Sequence, residues 1–176
     1  MIASDPESLA GELKKVATPE SWILLDIDYT VIDGKGGLMD PDLPKFIKQH
    51  KNIAFLTARP ADHDSAKSTI LRLQQELDWP TKCDDCCIKV GNNMSCATHA
   101  FPLILTHGHS KGSAISRWFK DNNIQPQHVI FADDQDGYLQ HMKRHLVLDT
   151  QPELTLIKMR PPKAPFMQDF FEGLFN

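Results

Sequence analysis

Long hydrophobic runs are missing from the sequence, and their absence limits the class of protein. A transmembrane helix requires about 20 consecutive apolar residues, and no run in the chain approaches that length. Residues 1–18 mix acidic, basic and small residues and lack the apolar core of a signal peptide. We therefore expect no transmembrane segment, and either a cytoplasmic location or delivery elsewhere by a dedicated secretion system.

A strong charge of one sign is also missing. The formal net charge is -4, and the Lys and Arg residues are scattered along the chain. Nucleic-acid-binding domains typically carry a clustered basic patch, so no nucleic-acid partner is expected. The chain has no internal repeat or low-complexity tract, and its 41% hydrophobic content suits a single globular domain over residues 1–176.

Short apolar runs alternate along the chain with helical patterns. Each run is continuous, which favours strands buried on both faces of a parallel sheet. The apolar runs cover residues 22–27, 53–56, 103–105, 129–132 and 146–148. The helical patterns cover residues 41–50, 61–77 and 110–120. This alternation predicts a three-layer, Rossmann-like α/β fold in which helices flank a parallel sheet.

All four cysteines lie in a segment from about residue 78 to residue 101, which interrupts this alternation. The segment is too short for a core of its own, so we predict a small insertion. Because nothing indicates export, we expect reduced cysteines. The spacing of Cys83, Cys86, Cys96 and His99 suits a structural Zn²⁺ site. The alternative is that the thiols only pack in a small core.

The C-terminal segment 161–176 is proline-rich at its start and aromatic afterwards. Its apolar spacing allows an amphipathic helix. One interpretation is a terminal helix docked on the core. The other is a segment that contacts a partner or a further domain.

Acidic residues follow two of the predicted strands. Asp26 and Asp28 end the first run, and Asp133 and Asp134 follow the run at 129–132. Parallel α/β sheets bind ligands at the carboxyl ends of their strands. If these carboxylates meet there, they form the oxygen-rich environment that Mg²⁺ prefers. Taken one at a time, each acid would more simply be a helix cap or a turn residue.

Residues that could bind an anion also lie at the end of a predicted strand or at the start of a predicted helix. Thr57 ends another run, and its hydroxyl is suited to a phosphate oxygen. Lys111 opens a helical pattern, where both the ammonium and the helix N-terminus favour an anion. Arg59 is a candidate for substrate binding or for a surface ion pair. His107 and His109 either reach the substrate or belong to an ordinary loop.

Taken together and in order, these residues resemble the four motifs of the haloacid dehalogenase superfamily. The motifs are Asp26-x-Asp28-x-Thr30, Thr57, Lys111 and Asp133-Asp134, and they cover the chain from about residue 22 to residue 148. The resemblance implies a phosphatase rather than a dehalogenase, because Asp28 supplies the proton that an ester leaving group needs. It also implies the Rossmann-like core of that superfamily.

The resemblance further implies a role for each residue. Asp26 would attack phosphorus and form an aspartyl-phosphate, and Asp28 would act as general acid/base. Thr57 and Lys111 would bind phosphoryl oxygens. Mg²⁺ would be held by the Asp26 carboxylate, the Asp28 main-chain carbonyl, Asp133 and, directly or through water, Asp134. Asp136 would act from outside this set.

The spacing of the motifs leaves room for only a minimal cap over the site. The interval between Asp28 and Thr57 is short, and the insertion at 78–101 is small. An open site favours a phosphorylated protein as substrate, with phosphotyrosine or phosphoserine as the reacting group. The alternatives are a small-metabolite or nucleotide phosphatase, a phosphotransferase, and a non-enzymatic binding module.

Overall fold

The computed structural model describes residues 2–4 and 9–160, so the predictions for segment 161–176 lie outside the described residues. The strands of the described chain are β1 (Ile2–Ser4), β2 (Trp22–Leu25), β3 (Ile53–Thr57), β4 (Cys87–Val90), β5 (Asn93–Ala97), β6 (Pro102–Leu105), β7 (His128–Asp133) and β8 (Glu153–Met159). They form one eight-stranded sheet in the order β1-β8-β7-β2-β3-β6-β5-β4. All neighbours are parallel except β6 with β5 and β5 with β4.

Helices cover both faces of the sheet. They are α1 (Leu9–Val16), α2 (Leu43–Lys48), α3 (His63–Leu77), α4 (Lys111–Asp121) and α5 (Asp136–His145). Helices α1, α2 and α3 contribute buried residues such as Leu13, Ile47 and Leu73 to one core. Helices α4 and α5 contribute Ile115 and Leu139 to the other. The predicted three-layer, Rossmann-like α/β class is therefore confirmed. Among the described helices, none is long and apolar enough to cross a membrane.

Strands β1 and β8 and helices α1 and α5 were not predicted, and the expected strand at 146–148 is absent. The run at 146–148 is not a strand. Leu146 is the C-cap of α5, and both Leu146 and Leu148 are buried against the core. Strand β8 was not predicted, since its exposed Glu153 and partly exposed Lys158 interrupt the apolar pattern. A continuous apolar run indicates burial, and Leu146 and Leu148 are buried without pairing in the sheet.

The cysteine-containing insertion is a hairpin that extends the sheet. Strands β4 and β5 are antiparallel, and β5 pairs with β6. Gly91 lies in the turn between them with a φ of 61°, a conformation that glycine adopts without steric cost. Met94 and Cys96 alternate with more exposed neighbours along β5. The hairpin therefore lies in the plane of the sheet rather than forming a layer of its own.

Close packing of α4 on α5 requires a glycine at position 112. A Cβ atom there would lie 2.9 Å from the main-chain oxygen of His141 and 2.9 Å from Cβ of His145. Because backbone would have to move, we expect Gly112→Ala to lower the free energy of unfolding by about 1–3 kcal/mol. Gly137→Ala in α5 is the control, since a Cβ there meets nothing within 4 Å. Equal denaturant midpoints for the two variants would contradict this packing.

Candidate active site

The carboxyl ends of β7, β2 and β3 meet at one edge of the sheet. Leu25 pairs with Ala132 on one side and with Phe55 on the other. Asp26 directly follows β2, and its main-chain N–H donates to the Ala132 oxygen at 3.0 Å. Asp133 and Thr57 are the last residues of β7 and β3. Asp26, Thr57 and Asp133 therefore lie at the same edge of the sheet, as expected for residues at the ends of parallel strands.

Lys111 joins the two acidic strand ends. It is the first residue of α4, whose N-terminus is capped by the Ser110 hydroxyl accepting from the Ser113 N–H. The Lys111 side chain is fully buried, and its Nζ donates to Asp26 Oδ1 and to Asp133 Oδ2, each at 2.6 Å. A buried ammonium is tolerated only when it is paired in this way. Lys111 is therefore a structural as well as a candidate catalytic residue.

Burial and charge shift the titration of the site. Burial, opposed by Lys111 and reinforced by Asp133, raises the pKa of Asp26 from 3.8 to about 7. Burial and the nearby Asp133 raise the pKa of Asp134. Burial lowers the pKa of Lys111, but Asp26 and Asp133 outweigh this effect and the net shift is upward. When all three carboxyls are ionised, they carry more negative charge than the one ammonium neutralises.

Three carboxylates are close enough together to share a cation. Carboxylate oxygens of Asp26, Asp133 and Asp134 lie within 4.8 Å of one another. Hard oxygen ligands and surplus negative charge are the properties that suit Mg²⁺. These three predicted ligands therefore fit the ion. The fourth, Asp28, was predicted to act through its main-chain carbonyl, and its carboxylate is engaged elsewhere.

The Asp28 carboxylate forms a two-point ion pair with Arg59. Arg59 Nε donates to Asp28 Oδ2 at 2.9 Å, and Nη2 donates to Oδ1 at 2.7 Å. Arg59 Nη1 also donates to Thr69 Oγ1 at 3.1 Å, which orients the guanidinium from α3. The hydrogen bond to Asp28 raises the pKa of Arg59. Arg59, predicted to bind substrate, thus contacts the predicted general acid/base, whose side chain is 49% exposed.

Two loops are joined beside Thr57. The Thr57 main-chain oxygen accepts from Thr106 N at 2.9 Å and from Thr106 Oγ1 at 3.1 Å. Further along, His107 N donates to the Arg59 oxygen at 3.0 Å. These bonds fix the loop that carries Thr57 and Arg59. His107 and His109 are both exposed beside it. Thr106 directly follows β6, as Thr57 ends β3, but it was not predicted as a site residue.

Tyr138 and Lys158 also contact the site without having been predicted. The Tyr138 ring centre lies 4.3 Å from Lys111 Nζ, a cation–π distance. Lys158 Nζ donates to the main-chain oxygen of Asp134 and lies 3.4 Å from Asp136 Oδ1. Asp136 therefore forms an exposed ion pair outside the carboxylate group. Lys158 was missed because β8 was missed.

The four cysteines are not the reduced thiols that were expected. They form two disulfides, Cys83–Cys86 and Cys87–Cys96. With Cys83, Cys86 and Cys96 oxidised, the predicted Zn²⁺ set has no thiolates to offer, since the thiolate is the metal-binding form. The expectation of reduced cysteines was wrong because it rested on the absence of an export signal and not on the distances between the sulfurs. A Zn²⁺ site with His99 stays a prediction for the reduced chain.

The elevated pKa of Asp26 predicts a pH dependence. A carboxyl with a pKa of about 7 in the folded state keeps a proton that the unfolded chain, with a pKa near 3.8, has released. Asp26 thus contributes stability below pH 3.8 that is lost as the pH rises through about 7. The amide of an Asp26→Asn variant does not titrate. In chelator, we expect Tm of this variant minus Tm of the native chain to increase from about pH 5 to about pH 8. A constant difference would contradict the shift.

The fold and site define a doubly wound α/β protein with a buried lysine between strand-end carboxylates. The chain belongs to the family DUF2608, described as a protein of unknown function, whose profile matches residues 38–151. No curated protein and no solved structure matches the chain. The expectation of membership in the haloacid dehalogenase superfamily is therefore corrected, because the matching family is DUF2608 and no family of that superfamily matches. The resemblance rested on a few strand-end residues, where sheets of this topology commonly place polar side chains.

Proposed function

We propose that this protein is a Mg²⁺-dependent phosphomonoester hydrolase that acts through an aspartyl-phosphate at Asp26. The observation that carries the proposal is the Lys111 ammonium, which contacts Asp26 and Asp133 at 2.6 Å each within a group of three carboxylates. Electrostatic stabilisation of a transferring phosphoryl group requires such fixed positive charge next to the nucleophile.

Asp26 is the nucleophile in this proposal. Its Oδ1 is held by Lys111, whereas Oδ2 has a longer contact of 3.3 Å from Thr30 Oγ1. Oδ2 therefore attacks phosphorus, the ester P–O bond breaks, and the leaving oxygen takes a proton from Asp28. Water, deprotonated by Asp28, then hydrolyses the acyl-phosphate. Asp26, Asp133 and Asp134 would hold Mg²⁺, which when bound would supply positive charge that favours the ionised carboxylates and the transferring group.

Arg59 positions Asp28 for this acid/base role. Its two hydrogen bonds to the carboxylate fix both oxygens, and Thr69 holds the guanidinium from the opposite side. Asp28 therefore has a fixed orientation even though half of its side chain is exposed. Arg59 holds the ionised form of Asp28, which is the general base of the second step, and in the first step a proton replaces one of these two contacts.

The exposure of the site supports a phosphorylated protein side chain as the substrate. Tyr29 is 45% exposed next to Asp28, and His107 and His109 are exposed on the loop beside Thr57. Among the described residues, the insertion between α3 and β6 is the hairpin of β4 and β5. This hairpin continues the sheet. A phosphotyrosine or phosphoserine on a large surface can approach an open site of this kind.

Phosphate release tests the proposal. We expect the native chain to hydrolyse para-nitrophenyl phosphate with Mg²⁺ and to lose this activity in chelator. Phosphotyrosine and phosphoserine peptides are then compared with nucleotides and sugar phosphates at equal concentration. A higher kcat/KM for the small metabolites would overturn the protein-substrate part of the proposal. Absence of Mg²⁺-dependent turnover on every substrate would overturn the whole.

Replacement of the general acid should depend on the leaving group. Asp28→Asn cannot protonate the departing oxygen, so we expect a loss of about 10²–10⁴-fold with an alkyl phosphate. The rate of the first step, transfer of the phosphoryl group to Asp26, should fall much less with para-nitrophenyl phosphate, because its leaving group needs little protonation. Arg59→Lys, which keeps the charge but not the two-point contact, should show the same pattern more weakly. If Asp28→Asn lowers the rate of the first step equally for both substrates, Asp28 is not the general acid.

A further inference from the structure

A compact group of sulfur atoms lies at the base of the hairpin, apart from the acidic site. The Sγ atoms of Cys83, Cys86 and Cys87 all lie within 4.8 Å of one another. Cys83 Sγ is 4.0 Å and Cys86 Sγ is 3.9 Å from Cys87 Sγ. Since Cys87 is bonded to Cys96, the two disulfides are in contact with each other. Thiol–disulfide exchange requires this kind of approach.

The two disulfides differ in their access to solvent. Cys83 and Cys86 are partly exposed and line a groove of about 460 Å³ between their loop and α3. His63 and Lys67 of α3 line the same groove together with Asp84 and Asp85 of the cysteine loop, so polar and charged groups surround the first disulfide. Cys96, in contrast, is fully buried. Both sulfurs of the first disulfide are therefore open to an external thiol, whereas in the second only that of Cys87, which also lines the groove, is open.

We propose that Cys83–Cys86 is a thiol–disulfide exchange site that accepts electrons from an external dithiol and passes them to Cys87–Cys96. The external thiolate attacks the Cys83–Cys86 bond, and its second thiol resolves the mixed disulfide, which leaves an oxidised dithiol and two cysteine thiols. The Cys83 thiolate then attacks Cys87 Sγ. The Cys83–Cys87 bond forms, the Cys87–Cys96 bond breaks, and Cys96 leaves as a thiolate that takes up a proton.

The second half of the exchange restores the first disulfide. Cys86 attacks Cys83, the Cys83–Cys86 bond re-forms, and Cys87 leaves as a thiolate that takes up a proton. Two electrons and two protons have then moved from the external dithiol to Cys87 and Cys96. Cys83 is the attacking residue because Cys86 and Cys87 are adjacent. A disulfide between neighbouring residues closes a small ring that forces the trans peptide bond between them out of its preferred geometry.

Two matched single variants test the internal step without any reductant. Cys86→Ser leaves the Cys83 thiol 4.0 Å from Cys87, so we expect Cys83–Cys87 to form and Cys96 to become the free thiol. Cys83→Ser leaves only the adjacent Cys86, so Cys87–Cys96 should persist with Cys86 free. Alkylation of the denatured, unreduced protein followed by peptide mapping identifies the free cysteine. Absence of any Cys83–Cys87 species in Cys86→Ser would overturn the proposal.

The order of reduction in the native chain tests the proposal independently of any variant. The folded protein is treated with limiting dithiothreitol, quenched at intervals by alkylation, and mapped. We expect labelled Cys83 and Cys86 before labelled Cys96. In the Cys83→Ser/Cys86→Ser variant, reduction of Cys87–Cys96 should be at least about tenfold slower than in the native chain. Labelling of Cys96 while Cys83–Cys86 is still intact, or an unchanged rate in the double variant, would overturn the relay.

Discussion

Asp26→Asn is expected to lower kcat for phosphate ester hydrolysis by at least about 10³-fold, the scale of losing a catalytic nucleophile. The amide cannot form an acyl-phosphate, whereas it keeps nearly the same volume beside Lys111 at the end of β2. The measurement is initial-rate hydrolysis of para-nitrophenyl phosphate with saturating Mg²⁺. Because the charge and not the shape is removed, the fold should persist.

Asp149→Asn serves as the control for this variant. Asp149 is exposed in the segment after α5, so the same chemical change should leave kcat within about twofold of the native value. Circular dichroism and Tm would show that both variants are folded. Retention of Mg²⁺-dependent turnover in folded Asp26→Asn would exclude Asp26 as the nucleophile.

Lys111→Met is expected to have the largest effect on stability. The variant removes the ammonium that contacts Asp26 and Asp133 and leaves two buried carboxylates without it. Breaking a buried pair in this way costs about 3–5 kcal/mol of unfolding free energy. Denaturant unfolding in chelator measures the change.

Lys120→Met on the same helix is the matched control, since Lys120 is exposed near the end of α4. A surface substitution of this kind should change the unfolding free energy by less than about 0.5 kcal/mol. Mg²⁺ should raise Tm of Lys111→Met more than Tm of the native chain, because the carboxylates that lost the ammonium gain from another cation. Equal stability of the two lysine variants would show that Lys111 is not what balances the carboxylates.

The sequence predicted which residues meet at the sheet edge but not how they are paired. Asp26, Thr57 and Asp133 follow from the rule that parallel strands end at one edge. The direct contact of Lys111 with Asp26 and Asp133 depends on how α4 packs on the sheet. The Asp28–Arg59 pair depends on two loops that are remote in sequence. Side-chain pairing of this kind is a tertiary property that no local pattern encodes.

The remaining differences have separate physical causes. Strand β8 combines Glu153 and Lys158 with buried residues, so its apolar signal is weak although it pairs along its length with β7. The insertion was predicted by its position, but its hairpin depends on pairing with β6. The cysteine pairing could not be deduced, because spacing alone allows several connectivities.

Trapping the covalent intermediate tests the central claim most directly. In Asp28→Asn, phosphorylation by para-nitrophenyl phosphate should continue while hydrolysis of the acyl-phosphate slows, so the phosphoenzyme should accumulate. Acid quenching after reaction with radiolabelled substrate and Mg²⁺ is predicted to give hydroxylamine-labile label on the peptide that contains Asp26. Label on another residue, or hydrolysis by the variant without labelled protein, would contradict the proposed role of Asp26.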